Sequence, residues 1–284
     1  ASDEVPDIVL WDRFNTCVYA PKGALMALDD YVEKDSIDLD QFYEPAVDEL
    51  RSGDNLYGIP LTVDTRIIFY NKDLLEEAGV DPASITDWNS LEEAAVKLTK
   101  WDGNVLEQSG FSMKDVGLFN NWIAQAGGQM IDDTTNPPTT AFNSEAGLTV
   151  LEYWNKLLNE DKVYQLGFED GLGGDGFKAG KVAMTFNGPW VLEQYKEAGL
   201  NFGVIGQPKG PSGDMHAMMG GFGLAIPNKA KHADEAWEFI KWWTTQPENG
   251  VEFCKISGNM PANKAAAEDP YFAEDDVFEV FTEA

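Results

Sequence analysis

Residues 182–190 read Val-Ala-Met-Thr-Phe-Asn-Gly-Pro-Trp. The run Val182–Phe186 is compact and apolar, as a buried strand is. Asn187-Gly188 is turn chemistry, and Pro189 suits the first position of a helix, where its missing N–H costs nothing. WVLEQYKEAG continues that helix to Gly199, whose tolerance of positive φ makes it a stop. A strand that feeds a helix through one tight turn is the building unit of an α/β fold.

The same alternation extends in both directions. PDIVLW (6–11), LYGIP (56–60) and RIIFY (66–70) have strand character, and NKDLLEEAG opens a helix on Asn71 that stops at Gly79. NSLEEAAVKLTKW (89–101) is amphipathic, with Leu91, Ala94, Ala95 and Leu98 on one face and Asn89 or Ser90 as the cap. A further helix begins at Ser144, NFGVIGQP and GFGLAIP are strands, and residues 231–258 form a helix pair broken at Pro247. No internal repeat is present.

At 284 residues the chain exceeds the usual size of one domain, so two lobes are expected. Hydrophobic residues make up 43%, enough for sizeable cores. Forty-nine acidic residues against 20 basic ones give a net charge of −29, a field that repels phosphate backbones and argues against nucleic-acid partners. The acidic excess is spread along the chain, which reads as a solvated surface. Two histidines exclude a multi-histidine metal site. Cys17 and Cys254 lie in no ligand pattern; two buried thiols are expected, with a disulfide as the alternative. No run approaches the ~20 apolar residues of a membrane span.

Catalytic motifs are scarce. There is no G-x-S-x-G elbow, and DGLGGDG (170–176) fits neither a phosphate cradle nor a calcium loop. With so many carboxylates, a glycoside-active enzyme stays open as an alternative. The stronger signal is aromatic residues at strand ends: Trp11, followed at once by Asp12 and Arg13; Tyr57 at the start of YGIP; Trp190 after the 187–189 turn. Ligands of open α/β sheets bind outside the carboxyl ends of strands. A pyranose has apolar C–H faces and a hydroxyl rim, so a ring that stacks beside an acceptor and a donor is suited to it. The competing reading is packing, which Trp237 and Trp243 fit on one helical stripe with Ala233, Ala236 and Ile240. Trp101 and Trp154 read as helix-borne core, and Trp122, before paired glycines, is divided between core and site.

PDIVLWDRF, GALMALDDYV, LYGIPLTVDTRIIFYNKDLL and GKVAMTFNGPW, in that order, resemble the extracytoplasmic solute-binding proteins of carbohydrate ABC importers (family 1), and most of all the maltose- and maltooligosaccharide-binding members. The resemblance runs over nearly the whole chain. It implies a two-lobe periplasmic-binding-protein-like (type II) α/β fold with crossing hinge strands, residues 1–61 and 221–260 forming the first lobe and 62–220 and 261–284 the second. The family's opening strand-helix unit and terminal helices find no match, so the sequence looks like part of a longer protein.

By resemblance, Trp11, Asp12 and Arg13 match the sugar-contacting Trp…Asp-Arg, although maltose-type members place two residues between the tryptophan and the pair. Asp64 matches a hinge-entry acid that is glutamate in those members, and Trp190 the stacking tryptophan of the second lobe. Asn121 and Trp122 stand in for a tyrosine-bearing segment, and Gly221-Phe222 mark the return to the first lobe. The implied function is capture of a di- or oligosaccharide between lobes by a monomeric, non-enzymatic protein. It would work outside the cytoplasm and deliver its load to ABC permease subunits, with no cofactor or metal. A non-sugar solute such as a polyamine or glycerol phosphate is the other alternative.

Overall fold

The strand at Met184 is the outer partner of the most buried strand in its sheet. The computed structural model describes residues 4–114, 118–132, 134–135 and 137–283. The elements that position the site are, in chain order, strands β1 (Val9–Asp12), β2 (Ile59–Pro60), β3 (Thr62–Val63), β4 (Ile67–Asn71), β5 (Met184–Asn187), β6 (Phe202–Ile205), β7 (Phe222–Ala225) and β8 (Met260–Pro261). The helices are α1 (Lys72–Ala78), α2 (Trp88–Leu98), α3 (Phe119–Gln125), α4 (Glu145–Asn155), α5 (Leu192–Glu197), α6 (Ala233–Thr245) and α7 (Pro247–Ser257).

The chain divides into two compact units, residues 1–65 with 219–279, and residues 66–218 with 280–284. In the first unit, β7 runs antiparallel between β1 and β2, with Trp11 opposite Gly223 and Asp12 opposite Phe222. Its core gathers Leu28, Leu50, Ile59, Leu224, Trp237 and Ile240, so the Ala236-Trp237-Ile240 stripe of α6 is packed inside as its helical spacing requires. Residues 261–279, expected in the second lobe, belong here. β8 pairs with β3, and the Asn263 side chain donates to the Gln41 side chain at 3.0 Å.

In the second unit, β4 runs antiparallel between β5 and β6, with Asn187 opposite Ile67 and Met184 opposite Tyr70. α2 buries Leu91, Ala94, Ala95 and Leu98, the face its periodicity sets out. Its cap is Asp87 rather than Asn89 or Ser90: the carboxylate accepts from the Ser90 N–H while the Ser90 hydroxyl closes the box on the Asp87 N–H. Asn71 caps α1 and Ser144 caps α4, both as the sequence indicates. Trp101 departs from expectation. It lies on the short strand Lys100–Asp102, 38% exposed, because the helix ends at Leu98 and the chain turns into a hairpin. Cys17 is exposed and Cys254 buried, both free, so the expectation of two buried thiols holds for Cys254 alone. Burial holds the Cys254 thiol above its ordinary pKa.

Candidate functional site

The ten residues singled out in the sequence divide between the units. Trp11, Asp12, Arg13, Tyr57, Asp64, Gly221 and Phe222 fall in the first, and Asn121, Trp122 and Trp190 in the second.

In the first unit, the Trp-Asp-Arg trio does not act as one cluster. Successive strand residues point to opposite faces, so Trp11 and Asp12 separate. Half-buried Trp11 donates its indole N–H to the Thr16 hydroxyl at 3.0 Å and meets the Tyr19 ring edge-on at 5.7 Å. Asp12 is exposed, opposite the partly exposed Phe222, and its carboxylate accepts from the Phe14 N–H at 3.2 Å, capping the turn that follows.

Arg13 turns inward and is 0% exposed. Its Nε donates to Glu49 at 2.8 Å, one terminal nitrogen to the Thr62 carbonyl, and the other to the Gly220 carbonyl at 2.7 Å. A guanidinium so enclosed is a backbone clamp. This corrects its assignment as a ligand contact: the strand ends at Asp12, and the next side chain follows the turn into the unit.

The clamp explains Gly221. At φ 130° a Cβ there would lie 2.3 Å from the Thr62 carbonyl oxygen and 2.6 Å from an Arg13 nitrogen, so only glycine admits the approach. Gly221 therefore serves the clamp. Asp64 is 6% exposed and exchanges both backbone hydrogen bonds with Gly220, at 3.0 and 2.7 Å. Tyr57 is half-buried just before β2.

In the second unit, the Asn121 side-chain oxygen accepts from the Met218 N–H at 3.0 Å, which ties the returning chain to α3. Trp122 is 3% exposed, with the rings of Trp88, Tyr153, Trp154 and Phe186 around it at 5.0–6.1 Å. Most of its apolar area is packed in the core, and it also reaches the wall of the cavity beside β5, so it belongs to both readings the sequence left divided. Trp190 is half-buried. Its ring lies so close over Gly188 that a Cβ there would come within 2.0 Å of it, and the Arg66 guanidinium sits 4.4 Å from a ring centroid of Trp190.

A cavity of about 360 Å³ opens beside the carboxyl end of β5. Phe111, Leu118, Trp122, Trp154 and Phe186 form its apolar wall, and Ser112, Lys114, Thr185 and Asn187 bring polar groups to it. The buried Glu169 carboxylate holds its frame, accepting from the Ser112 hydroxyl at 2.5 Å and the Gly176 N–H at 2.7 Å. Asn187 donates to the Tyr195 hydroxyl at 3.1 Å, and burial foremost raises that phenol's pKa. The Trp154 indole N–H is buried and has no acceptor among the described residues. Apolar walls with a few placed polar groups, at this volume, suit a small organic ligand. Among the described residues no cluster of His, Cys, Asp or Glu could hold a metal ion, and no helix is long and apolar enough to cross a membrane.

Sequence reasoning did not single out Ser112, Lys114, Thr185 or Arg66. Only Arg66 carried a signal, as a charged residue opening an otherwise apolar strand two positions after Asp64.

Fold and site together define a solute-binding protein of the type II periplasmic class. The chain belongs to the family described as bacterial extracellular solute-binding protein, whose profile it matches over residues 1–279. It is 28% identical over 288 residues to a maltotriose-binding protein of Pyrococcus abyssi, covering 98% of this chain and 59% of that one. It is also 28% identical over 221 residues to the maltodextrin-binding protein MdxE of Bacillus subtilis, covering 74% of this chain and 51% of the relative. Thus the chain spans just over half the length of these curated relatives. Among solved structures it is similar to CpMnBP1 with mannobiose bound, at 28% identity and a TM-score of 0.84, covering 98% of this chain and 72% of that one. Maltose-bound MalE3 of T. maritima matches at 25% identity and a TM-score of 0.82, with 98% and 72% covered. A further relative, 25% identical over 240 residues, is named a maltooligosaccharide ABC transporter solute-binding lipoprotein of Streptococcus pneumoniae, with 74% of this chain and 50% of that one covered.

Proposed function

We propose that the chain binds a di- or oligosaccharide and delivers it to the permease subunits of an ABC importer. It acts as a receptor and carries out no chemistry on its ligand. It works as a monomer outside the cytoplasm, without cofactor or nucleic-acid partner.

The observation that carries this reading is the cavity at the end of β5. Three of its lining residues, Thr185, Phe186 and Asn187, lie on the strand whose next turn presents Trp190, and the rest of the wall comes from the 111–114 segment, α3 and α4. An apolar wall covers the C–H face of a sugar ring, and the polar groups take its hydroxyls. Relatives named for maltotriose and maltodextrin support the ligand class. The names of the relatives, given as binding proteins, support a receptor over an enzyme.

Calorimetric titration with maltotriose, mannobiose, spermidine and glycerol 3-phosphate tests the reading. A sugar should bind with a dissociation constant in the micromolar range or below and be recovered unchanged after prolonged incubation. Binding confined to spermidine or glycerol 3-phosphate would reassign the ligand, and release of monosaccharide would make the protein an enzyme.

A further inference from the structure

We infer that the second unit carries a further carbohydrate site, a surface groove for a neutral glycan built around Trp101. The groove measures about 720 Å³ and shares no lining residue with the cavity beside β5. Its walls come from the hairpin that pairs Lys100–Asp102 with Val105–Gln108 and from the chain between Leu158 and Leu166. All three residues of the Lys100–Asp102 strand are exposed, so Trp101 has no core to fill there, and its ring keeps 38% of its surface in solvent. The ring is nevertheless fixed. Its indole N–H donates to the Lys162 carbonyl at 3.0 Å, and Lys162 holds φ at 54°, a conformation that side chains other than glycine rarely adopt. Backbone of that kind persists only where its surroundings hold it, and it gathers at ligand sites.

The polar lining suits hydroxyls. Asn104 and Gln165 are exposed in the groove, and no side-chain hydrogen bond among the described residues engages either amide. Each amide offers two donors and an acceptor, the mixture that a rim of hydroxyls requires. One Asp161 carboxylate oxygen is buried with no donor among the described residues, an orphaned acceptor that a hydroxyl donor would relieve. Because the only N–H of Trp101 is already taken by Lys162, the ring offers its face alone, which covers the C–H face of a pyranose. The charges of the lining cancel, with Asp161 against Lys162, in a protein whose net charge is −29. An anionic chain would be repelled by that field, and a neutral glycan is not. The groove stands on its own residues, so it does not depend on what the cavity beside β5 binds.

Native electrophoresis of the full chain through gels containing soluble amylopectin, galactomannan or polygalacturonate tests this, with wild type, Trp101→Ala and Gln165→Ala compared. At least one of the two neutral polysaccharides should retard wild type. Trp101→Ala should need about tenfold more of it for the same retardation, the effect of losing one stacking ring. Gln165→Ala, which removes one neutral hydrogen-bonding group, should need about threefold more. Trp101→Leu, which keeps apolar bulk without a flat ring, stands in if melting curves show that Trp101→Ala does not fold, with the same direction expected. Wild type that runs unretarded in both neutral gels, or is retarded by polygalacturonate alone, overturns the site, and so does a Trp101→Ala or stand-in Trp101→Leu variant retarded as strongly as wild type. Wild type that is retarded through Trp101 yet binds no short sugar in calorimetry would sink the sugar reading of the cavity and leave the groove established.

Discussion

Replacing Arg13 by methionine separates a clamp from a ligand contact. The wild-type guanidinium is wholly enclosed and makes charge-assisted bonds to Glu49, the Thr62 carbonyl and the Gly220 carbonyl. Methionine fills much of the volume and leaves both carbonyls without that donor. The buried Thr62 carbonyl loses its Arg13 donor at a cost of about 1–3 kcal/mol, while the half-buried Gly220 carbonyl keeps the Asp64 N–H at 3.0 Å. The Glu49 side chain remains 32% exposed and can rehydrate, so its loss adds little. Removing one member of a buried charged set typically costs about 3–5 kcal/mol, and with one carbonyl orphaned the loss falls at about 3 kcal/mol, the low end of that range. For a unit of this size the loss corresponds to a fall in melting temperature on the order of 10 °C. Differential scanning calorimetry reads it directly, and hydrogen exchange should show faster exchange at the Asp64 and Gly220 amides. Unchanged melting accompanied by a large loss of sugar affinity would refute the clamp and restore Arg13 as a ligand donor.

Two further perturbations follow from the same geometry. Trp190→Ala should weaken sugar binding by roughly 1–3 kcal/mol in a calorimetric titration with little change in melting; unchanged affinity with a collapsed melting transition would make Trp190 a packing residue. The Asp35 carboxyl is held below its ordinary pKa by hydrogen bonds first from Lys241 and then from Trp237. A depressed carboxylate contributes stability that is complete above the unfolded value, about 3.9, and lost as pH falls through the lower folded value. Asp35→Asn should therefore melt below wild type at pH 7 and pH 5, with the gap closing in more acid solution; a gap that persists at pH 2 would contradict the linkage.

The elements were legible where local chemistry and tertiary packing agree. Asn71, Ser144, Gly79 and Pro247 mark their helix ends because caps and breakers act through the backbone of their own turn. The α2 stripe was readable because its period is a property of the segment alone. Trp101 was misread because its run of helical periodicity extends past the point where the chain turns into a hairpin. The placement of residues 261–279 was hidden for a different reason. It depends on β8 finding β3 some two hundred residues earlier in the chain, and no local pattern encodes that pairing.

Side-chain direction is the harder part of a site to read, and Arg13 and Arg66 show why. Both follow an acidic residue by one or two positions and both adjoin a strand end, so composition treats them alike. Arg13 sits just past the end of β1, where the Asp12 cap starts a turn that carries the next side chain inward. There, backbone carbonyls of Thr62 and Gly220 replace the water it would otherwise meet. Arg66 sits just before β4, beside the 187–190 turn, where the Trp190 ring supplies a surface and the glycine at 188 lets that ring lie close. The difference between a clamp and a ring-stacked side chain is thus set by which partner segment reaches each position. A change in that segment should transfer the role: bulk added at Gly188 displaces the Trp190 ring and leaves Arg66 without its stack, while Arg13, held entirely within the other unit, stays as it is.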